Sequence, residues 1–232
     1  MDKKILAIIP ARAGSKRVLK KNFRSFAGST LTDLAISQAL ESNLINKIAV
    51  SSDSKEIKRI TSKYSDVDFI ERPEELASDV SPAVDYMIHV INHYKNETFD
   101  LIVIIQPSSP LRNGLDIDNT INLLLKSYDS DSSVSIVKLD HMIHPYKLKT
   151  LSNNILKNWL FDEKQKTAEH ELPNLYVRNG AVYVFKLKNV LNKITLGEKS
   201  LGYLMPFEKS VDINSELDFK FAEFLFESEA NK

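Results

Sequence analysis

The run Ile5-Leu6-Ala7-Ile8-Ile9-Pro10, continuing as Ala11-Arg12-Ala13-Gly14-Ser15-Lys16-Arg17, decides the fold of this chain. Its apolar residues follow one another without polar alternation, as in a strand buried on both faces of a sheet. Pro10 ends the run, and a cationic loop carries on to Lys20-Lys21-Asn22. Eight Lys and Arg residues fall between Lys3 and Arg24, and no acid occurs between Asp2 and Asp33. Such charge at the mouth of a buried strand suits a polyphosphate, with Gly14-Ser15 letting the backbone turn closely around its oxygens and Arg12, Lys16, Lys20 and Lys21 adding charge-assisted contacts. A solvated loop with incidental lysines has the same composition.

Outward from this stretch, short apolar runs alternate with amphipathic segments. Strands are expected at Ile5–Pro10, Lys47–Ser51, Asp68–Ile70, Leu101–Ile105 and Ser133–Leu139. Helices are expected at Leu31–Ser42, Lys55–Tyr64, Pro82–Tyr94 and Asp116–Ser127. Asp53-Ser54-Lys55-Glu56 has capping-box spacing, and Ser81-Pro82 reads as an N-cap followed by Pro. The β-α-β-α rhythm predicts a parallel sheet with helices on both faces. After Leu139 the pattern changes. Tyr146–Leu151 and Ile155–Leu160 read as a hairpin turning at Ser152-Asn153-Asn154, and a charged stretch runs from Asp162 to Glu171. Ala181–Phe185 and Leu201–Pro206 read as strands, and Ser215 caps a last helix to Glu227.

Composition excludes several classes. The chain has 232 residues, 43% of them hydrophobic, enough for one large α/β domain. Thirty-one bases balance thirty-one acids, which argues against nucleic acid or a membrane surface as partner. There is no cysteine, hence no disulfide, thiolate catalysis or zinc–sulfur site. No apolar stretch approaches the roughly 18 residues of a membrane span, and the start is too short and charged for a secretory signal, so the expected location is cytoplasmic. Neither G-x-x-x-x-G-K-[ST] nor G-x-G-x-x-G is present, which removes the main support for kinase, GTPase and dinucleotide-dehydrogenase readings.

Ligands of open α/β sheets bind beyond the carboxyl ends of the strands. Gln106-Pro107-Ser108-Ser109-Pro110-Leu111-Arg112 lies at such an end, with donors on Gln106, Ser108, Ser109 and Arg112. Alone, it reads as well as an ordinary proline-bounded turn. Asp212 and Asn214, two residues apart, offer oxygens to a hard cation or simply start the last helix. His89 and His93 have metal-pair spacing but read better as a helix face, and Asp53 reads as a helix cap rather than a catalytic acid. No G-x-S-x-G elbow occurs.

Taken together these segments resemble the acylneuraminate cytidylyltransferases, the CMP-sialic acid synthetase family. The resemblance is carried, in family order, by Ile9–Lys16 with Lys20-Lys21-Asn22, Arg72–Asp79, Gln106–Arg112, His144-Pro145-Tyr146-Lys147, Arg178–Tyr183 and Asp212–Asp218. It implies a three-layer α/β/α Rossmann-like nucleotidyltransferase fold with a mainly parallel sheet. Residues 1–232 would form a single domain, with 140–175 an inserted hairpin that protrudes for dimerisation. The implied reaction joins CTP to the anomeric hydroxyl of a sialic-acid-like nonulosonate, releasing pyrophosphate, with Mg²⁺ as cofactor and a homodimer as the assembly. Arg12, Gly14, Ser15, Lys16, Lys21 and Asn22 would hold the triphosphate; Arg72 and the turn containing Ser81 would read cytosine. Gln106, Ser108, Asn179 and Tyr183 would line the sugar pocket, and Lys147 would approach the partner's sugar carboxylate. Asp212 and Asn214 would sit at the metal, and Arg12, Lys21 and Asp212 would carry catalysis. Two departures stand out: Asn214, where many relatives have Asp, and Glu169-His170-Glu171, where relatives commonly carry Arg-Gln-x. They keep open a different acid, legionaminate-type or an octulosonate, and a relative that binds nucleotide without catalysis.

Overall fold

The structure is a computed structural model describing residues 3–78, 80–160, 170 and 172–230. Its centre is strand β1 (Ile5–Pro10), where Leu6, Ala7, Ile8 and Ile9 are wholly buried. Parallel neighbours flank it on both sides: β4 (Lys47–Ser52) on one and β6 (Leu101–Ile105) on the other. Beyond β4 lies β5 (Val67–Glu71), also parallel. Beyond β6 come β10 (Tyr176–Lys186), β7 (Ser132–Lys138) and β11 (Ser200–Leu204), completing the order β11-β7-β10-β6-β1-β4-β5. β10 runs antiparallel to both β6 and β7, so the sheet is mixed rather than wholly parallel. An apolar run reports burial on both faces and not direction, so the Ala181–Phe185 pattern could not disclose this.

The two-residue strand period sends alternate side chains to opposite cores. Ile5, Ala7 and Ile9 pack with helices α1 (Leu31–Leu40), α2 (Lys55–Thr61) and α5 (Gly114–Leu125). Leu6 and Ile8 pack instead with α4 (Ala83–His93) and α6 (Leu187–Leu191) on the other face. This is the expected three-layer α/β/α arrangement. A third cluster lies above the sheet. Val18 of the cationic loop, Phe26, Leu31 and Ile213 pack there with Phe219 and Ala222 of α7 (Glu216–Ala230).

Caps differ in detail from expectation. Ser54, not Asp53, caps α2, because its hydroxyl accepts from the Ile57 N–H. Ser81 does not cap α4; the helix starts at Ala83 after Pro82, with no side-chain cap bond. Ser215 does cap α7 reciprocally: its hydroxyl accepts from the Asp218 N–H while Asp218 accepts from the Ser215 N–H. A small hairpin, β2 (Ser25–Phe26) and β3 (Ser29–Thr30), and a one-turn helix α3 (Glu74–Ala77) have no counterpart in the apolar pattern.

The protruding hairpin is β8 (Lys149–Ser152) and β9 (Ile155–Asn158). Asn153 and Asn154 both adopt positive φ, 49° and 63°, as a tight two-residue turn demands. Tyr146 belongs to a 3₁₀ turn, Pro145–Lys147, because Pro145 presets the backbone and His144 Nδ1 accepts from the Tyr146 N–H. The charged stretch at 161–169 and Glu171 lies outside the described residues.

Candidate active site

Loops beyond the carboxyl ends of β1, β5 and β6 line a cavity of about 340 Å³. Arg12, Lys16, Arg17, Lys21 and Arg72 all line it, and no carboxylate does among the described residues. Ser15, Asn22, Ser81, Gln106, Ser108 and Asn214 add neutral polar groups. Five positive charges focused in one cleft attract a polyanion and raise its local concentration.

The loop that presents these charges is held by hydrogen bonds to the end of β4 and within itself. Ala11 N–H donates to Ser51 O at 3.0 Å, and the Ser52 hydroxyl donates to Ala11 O. Ala13 N–H donates to Asp53 Oδ1 at 2.7 Å, so Asp53 anchors the loop rather than capping a helix. Asn22 is buried and its Nδ2 donates to Arg12 O at 2.9 Å. The left-handed residue that turns the loop is Lys20, with φ of 56°. Gly14 does not line the cavity, its φ is not positive, and a Cβ there would meet nothing within 4 Å. The protein's own atoms therefore place no steric demand for glycine at position 14.

Lys21 donates from Nζ to Ile213 O at 2.7 Å, which brings the β1 loop against the segment after β11. Burial lowers its pKa from the ordinary lysine value, Arg17 and Arg12 push the same way, and Asp212 and Asp218 oppose them. Asp212 is thus close to Lys21 without lining the cavity itself. Asn214 does line it, and its Nδ2 donates to Asp212 Oδ2 at 2.7 Å. That amide contact leaves the Asn214 carbonyl oxygen to other partners. Ile213 N–H donates to Ser108 O at 2.8 Å, fastening this segment to the loop after β6.

Arg72 is buried, with Nε and Nη2 both 3.0 Å from Ser51 oxygens and its guanidinium 4.4 Å above the Tyr86 ring. Burial lowers the Arg72 pKa and pushes the Tyr86 phenol up to about 12. Tyr86 and Arg17 both line the cavity and were not singled out from sequence. Tyr86 carried a readable signal in its place on the first turns of α4, directly after the turn containing Ser81.

Asn179 and Arg112 need correction as ligand contacts. Asn179 is buried, and its side chain is used within the fold. Oδ1 accepts from the Ser135 hydroxyl at 2.6 Å and from Ala181 N–H at 3.2 Å, and Nδ2 donates to the Ser210 hydroxyl at 2.9 Å. It supports the bend in β10, where the pairing with β7 shifts between Arg178 and Tyr183 and Gly180 has φ of 79°. Arg112 is only 2% exposed and does not line this cavity; it borders a separate one with Gln38, Glu41 and Lys209. Tyr183 is near the cavity but does not line it; burial raises its pKa, Arg178 opposes and Asp212 adds to the rise. Lys147 lies on the 3₁₀ turn at the base of the hairpin and does not line the cavity. His89 and His93 form no metal cluster among the described residues.

The sequence matches the cytidylyltransferase family model over residues 6–219. The chain belongs to the cytidylyltransferase family. It is 32% identical to the CMP-N,N'-diacetyllegionaminic acid synthase of Legionella pneumophila, with 97% of each chain covered. It is 32% identical to the N-acylneuraminate cytidylyltransferase of Escherichia coli O18:K1:H7 over 96% of its own length and 52% of that protein. The chain therefore spans about half of that longer relative. In fold it is similar to a CMP:2-keto-3-deoxy-manno-octonic acid synthetase solved with CTP, with a TM-score of 0.74 at 12% identity and 97% and 99% of the two chains covered.

Proposed function

We propose that this protein transfers the cytidylyl group of CTP to the anomeric hydroxyl of a nonulosonate, releasing pyrophosphate. One observation carries the reading: a cleft at the strand ends is lined by five cations and no described carboxylate, in a chain of the cytidylyltransferase family. The sugar oxygen attacks the α-phosphorus, the bond to the pyrophosphate oxygen breaks, and the hydroxyl proton leaves. Such transfers need positioning and charge stabilisation rather than a protein nucleophile. Arg12, Ser15, Lys16 and Lys21 hold the triphosphate, while Asn22 acts on it indirectly by fixing the Arg12 carbonyl. Arg72, Ser81 and the turn after α3 take the base, with Tyr86 stacked beneath Arg72. Gln106, Ser108 and Tyr183 face the acceptor.

Magnesium fits the remaining donors. Asp212 supplies a carboxylate and Asn214 an amide oxygen, a sparse oxygen set of the kind Mg²⁺ completes with water and substrate phosphates. When bound, the ion would neutralise triphosphate charge. Activity abolished by EDTA and restored by Mg²⁺ is the expected result; full turnover in chelator excludes Asp212 as a ligand.

The hairpin supports the assembly of two copies. Leu151, Ile155 and Leu156 are 68%, 60% and 65% exposed, more apolar surface than a free two-stranded ribbon ordinarily shows. A second copy covering it would bring Lys147 towards the neighbouring acceptor site. Sedimentation of Leu156→Asp should then show monomer; an unchanged dimer removes the hairpin from the interface. A nucleoside triphosphate donor supports a cytoplasmic setting for the reaction, and no helix among the described residues is long and apolar enough to cross a membrane.

The acid is left at the level of the class. Relatives named for acylneuraminate and for diacetyllegionaminic acid are equally similar, at 32% identity. Pyrophosphate release from CTP across sialic-acid-like, legionaminate-type and octulosonate acceptors tests both the class and its member. No release with any nonulosonate overturns the proposal, and CTP binding without turnover identifies a binding protein instead.

A further inference from the structure

Arg112 is the largest wholly buried side chain that the reaction does not use. Its Nη1 donates to two backbone carbonyls of the loop after β6, Gln106 O at 2.8 Å and Ser109 O at 2.5 Å. Its Nε and Nη2, the side-on fork of the guanidinium, have no hydrogen-bond partner among the described residues. The one charge of opposite sign that acts on it is Asp116, which also accepts from Lys209, Tyr203 and its own N-cap. Burial pulls the Arg112 pKa down to about 9, so the group remains a cation at neutral pH.

This is a poor arrangement for stability. Burying a guanidinium costs more than burying an apolar side chain of the same length. What the guanidinium supplies, and an apolar group cannot, is a fixed distance between two carbonyls. The loop thus pinned carries Gln106 and Ser108 into the cavity and receives Ile213 N–H on Ser108 O. Its other side meets Gly180, where a Cβ would lie 3.2 Å from Ser109 Oγ and 3.6 Å from Gln106 Oε1. The loop has little room to relax towards β10, so its position is set from behind.

We propose that Arg112 is a positioning residue for the acceptor: by joining the carbonyls of Gln106 and Ser109, it sets how Gln106 and Ser108 face the sugar acid. The proposal rests on the reading of those two residues as acceptor contacts. Two amides report the loop directly. Ser109 N–H donates to Gln106 O, and Ile213 N–H donates to Ser108 O.

Hydrogen exchange and steady-state kinetics of Arg112→Met and Arg112→Lys make the test. In Arg112→Met the Ser109 and Ile213 amides should exchange faster by roughly tenfold or more, with the β6 amides unchanged and the melting temperature equal or higher. The acceptor KM should rise by roughly tenfold while CTP affinity stays within about twofold. Arg112→Lys, which keeps one donor, should recover part of both effects. Wild-type exchange at the two amides overturns the proposal, whatever the turnover. So does a melting temperature that collapses with exchange rising throughout β6, or a parallel loss of CTP affinity. Absence of turnover in the unmodified protein counts against the functional reading alone, because the two amides still report what Arg112 holds.

Discussion

Replacing Lys21 by Met separates catalysis from folding at one atom. The substitution keeps the length of the side chain and removes its charge. Arg12, Lys16, Arg17 and Arg72 remain in the cavity, so CTP binding should weaken only modestly. The larger effect falls on the reaction, because charge moves onto the leaving pyrophosphate as the bond breaks. A unit charge ~5 Å from a phosphate oxygen, at an effective dielectric of ~20, contributes about 3 kcal/mol. Realised mainly in the transition state, that is a loss on the order of 10²-fold in kcat. Stability should move the other way. Burial, Arg17 and Arg12 all disfavour the charged form of Lys21, and Asp212 only partly offsets them. With a folded pKa below the unfolded value, protonated Lys21 costs stability at neutral pH, and the cost is relieved as pH rises through the folded value.

Pyrophosphate release at saturating CTP and acceptor, calorimetric CTP binding and thermal melting give the three readings. The expected set is kcat lower by about 10²-fold, CTP binding little changed, and a melting temperature equal to or above wild type. Turnover should also fall on the alkaline side below the ordinary lysine range near ~10.4, and Lys21→Arg should remove that limb. A kcat within about threefold of wild type would refute the assignment of Lys21 to the reacting phosphates. A melting temperature that falls in step with activity would refute the electrostatic account of the site.

Asn179→Ala should lower stability by roughly 2–4 kcal/mol in urea unfolding, because the buried Ser135 hydroxyl and Ala181 N–H lose their bonds to its carbonyl oxygen. A loss below about 1 kcal/mol, paired with a specific rise in acceptor KM, would return Asn179 to the sugar pocket. Gly180→Ala should cost about 1–2 kcal/mol from its φ of 79° and also slow turnover, since the new Cβ would lie 3.2 Å from Ser109 Oγ, in the loop that carries Gln106 and Ser108; unchanged stability and turnover would show that the bend relaxes freely. His89 is held below the ordinary histidine range by burial first, then by His93 and Arg72. The unfolded chain therefore binds the proton first as pH falls, and stability should decline from about pH 6.5 downward until the folded pKa is passed. His89→Asn should flatten that part of the melting profile, and an identical slope in the variant would exclude His89 as its source.

The sheet was readable because its strands are apolar runs of strand length. Ile5–Pro10 and Leu101–Ile105 coincide with the observed strands, and the other expected strands overlap theirs. What escaped lies where local pattern carries no direction or depth. β10 runs antiparallel although its residues would suit either orientation. Asp53 sits at capping-box spacing, yet its carboxylate finds the Ala13 amide forty residues earlier, a contact set by the pairing of β1 with β4. Asn179 and Arg112 are polar residues in motifs that resemble ligand contacts, but burial decides what a polar group touches, and burial comes from strands far apart in sequence. The cations were the reverse case. Arg12, Lys16, Lys21 and Arg72 do converge on one cavity, because β1 and β5 flank β4 and Arg72, just after β5, reaches back across the end of β4 to Ser51.

Their convergence raises the question of what holds mutually repelling charges together before any polyanion arrives. Attraction from nearby acids accounts for part: Asp212 and Asp218 act on Lys21, and Asp53, which also accepts from the Ala13 N–H, acts on Arg72. The rest comes from bonds and packing that are indifferent to charge. Ala11 and Asn22 are tied to Ser51 O and Arg12 O, respectively. Val18, in the middle of the loop, is wholly buried against a cluster that includes Ile213 and Phe219. Ile213 also stands between Asp212 and Asn214, and its carbonyl accepts from Lys21. One apolar side chain therefore seats the phosphate loop and the candidate metal loop in the same core. Under the proposed function, a triphosphate entering this cleft would offset the repulsion among its cations, in a loop whose geometry is set largely by its own backbone bonds and by the packing of Val18.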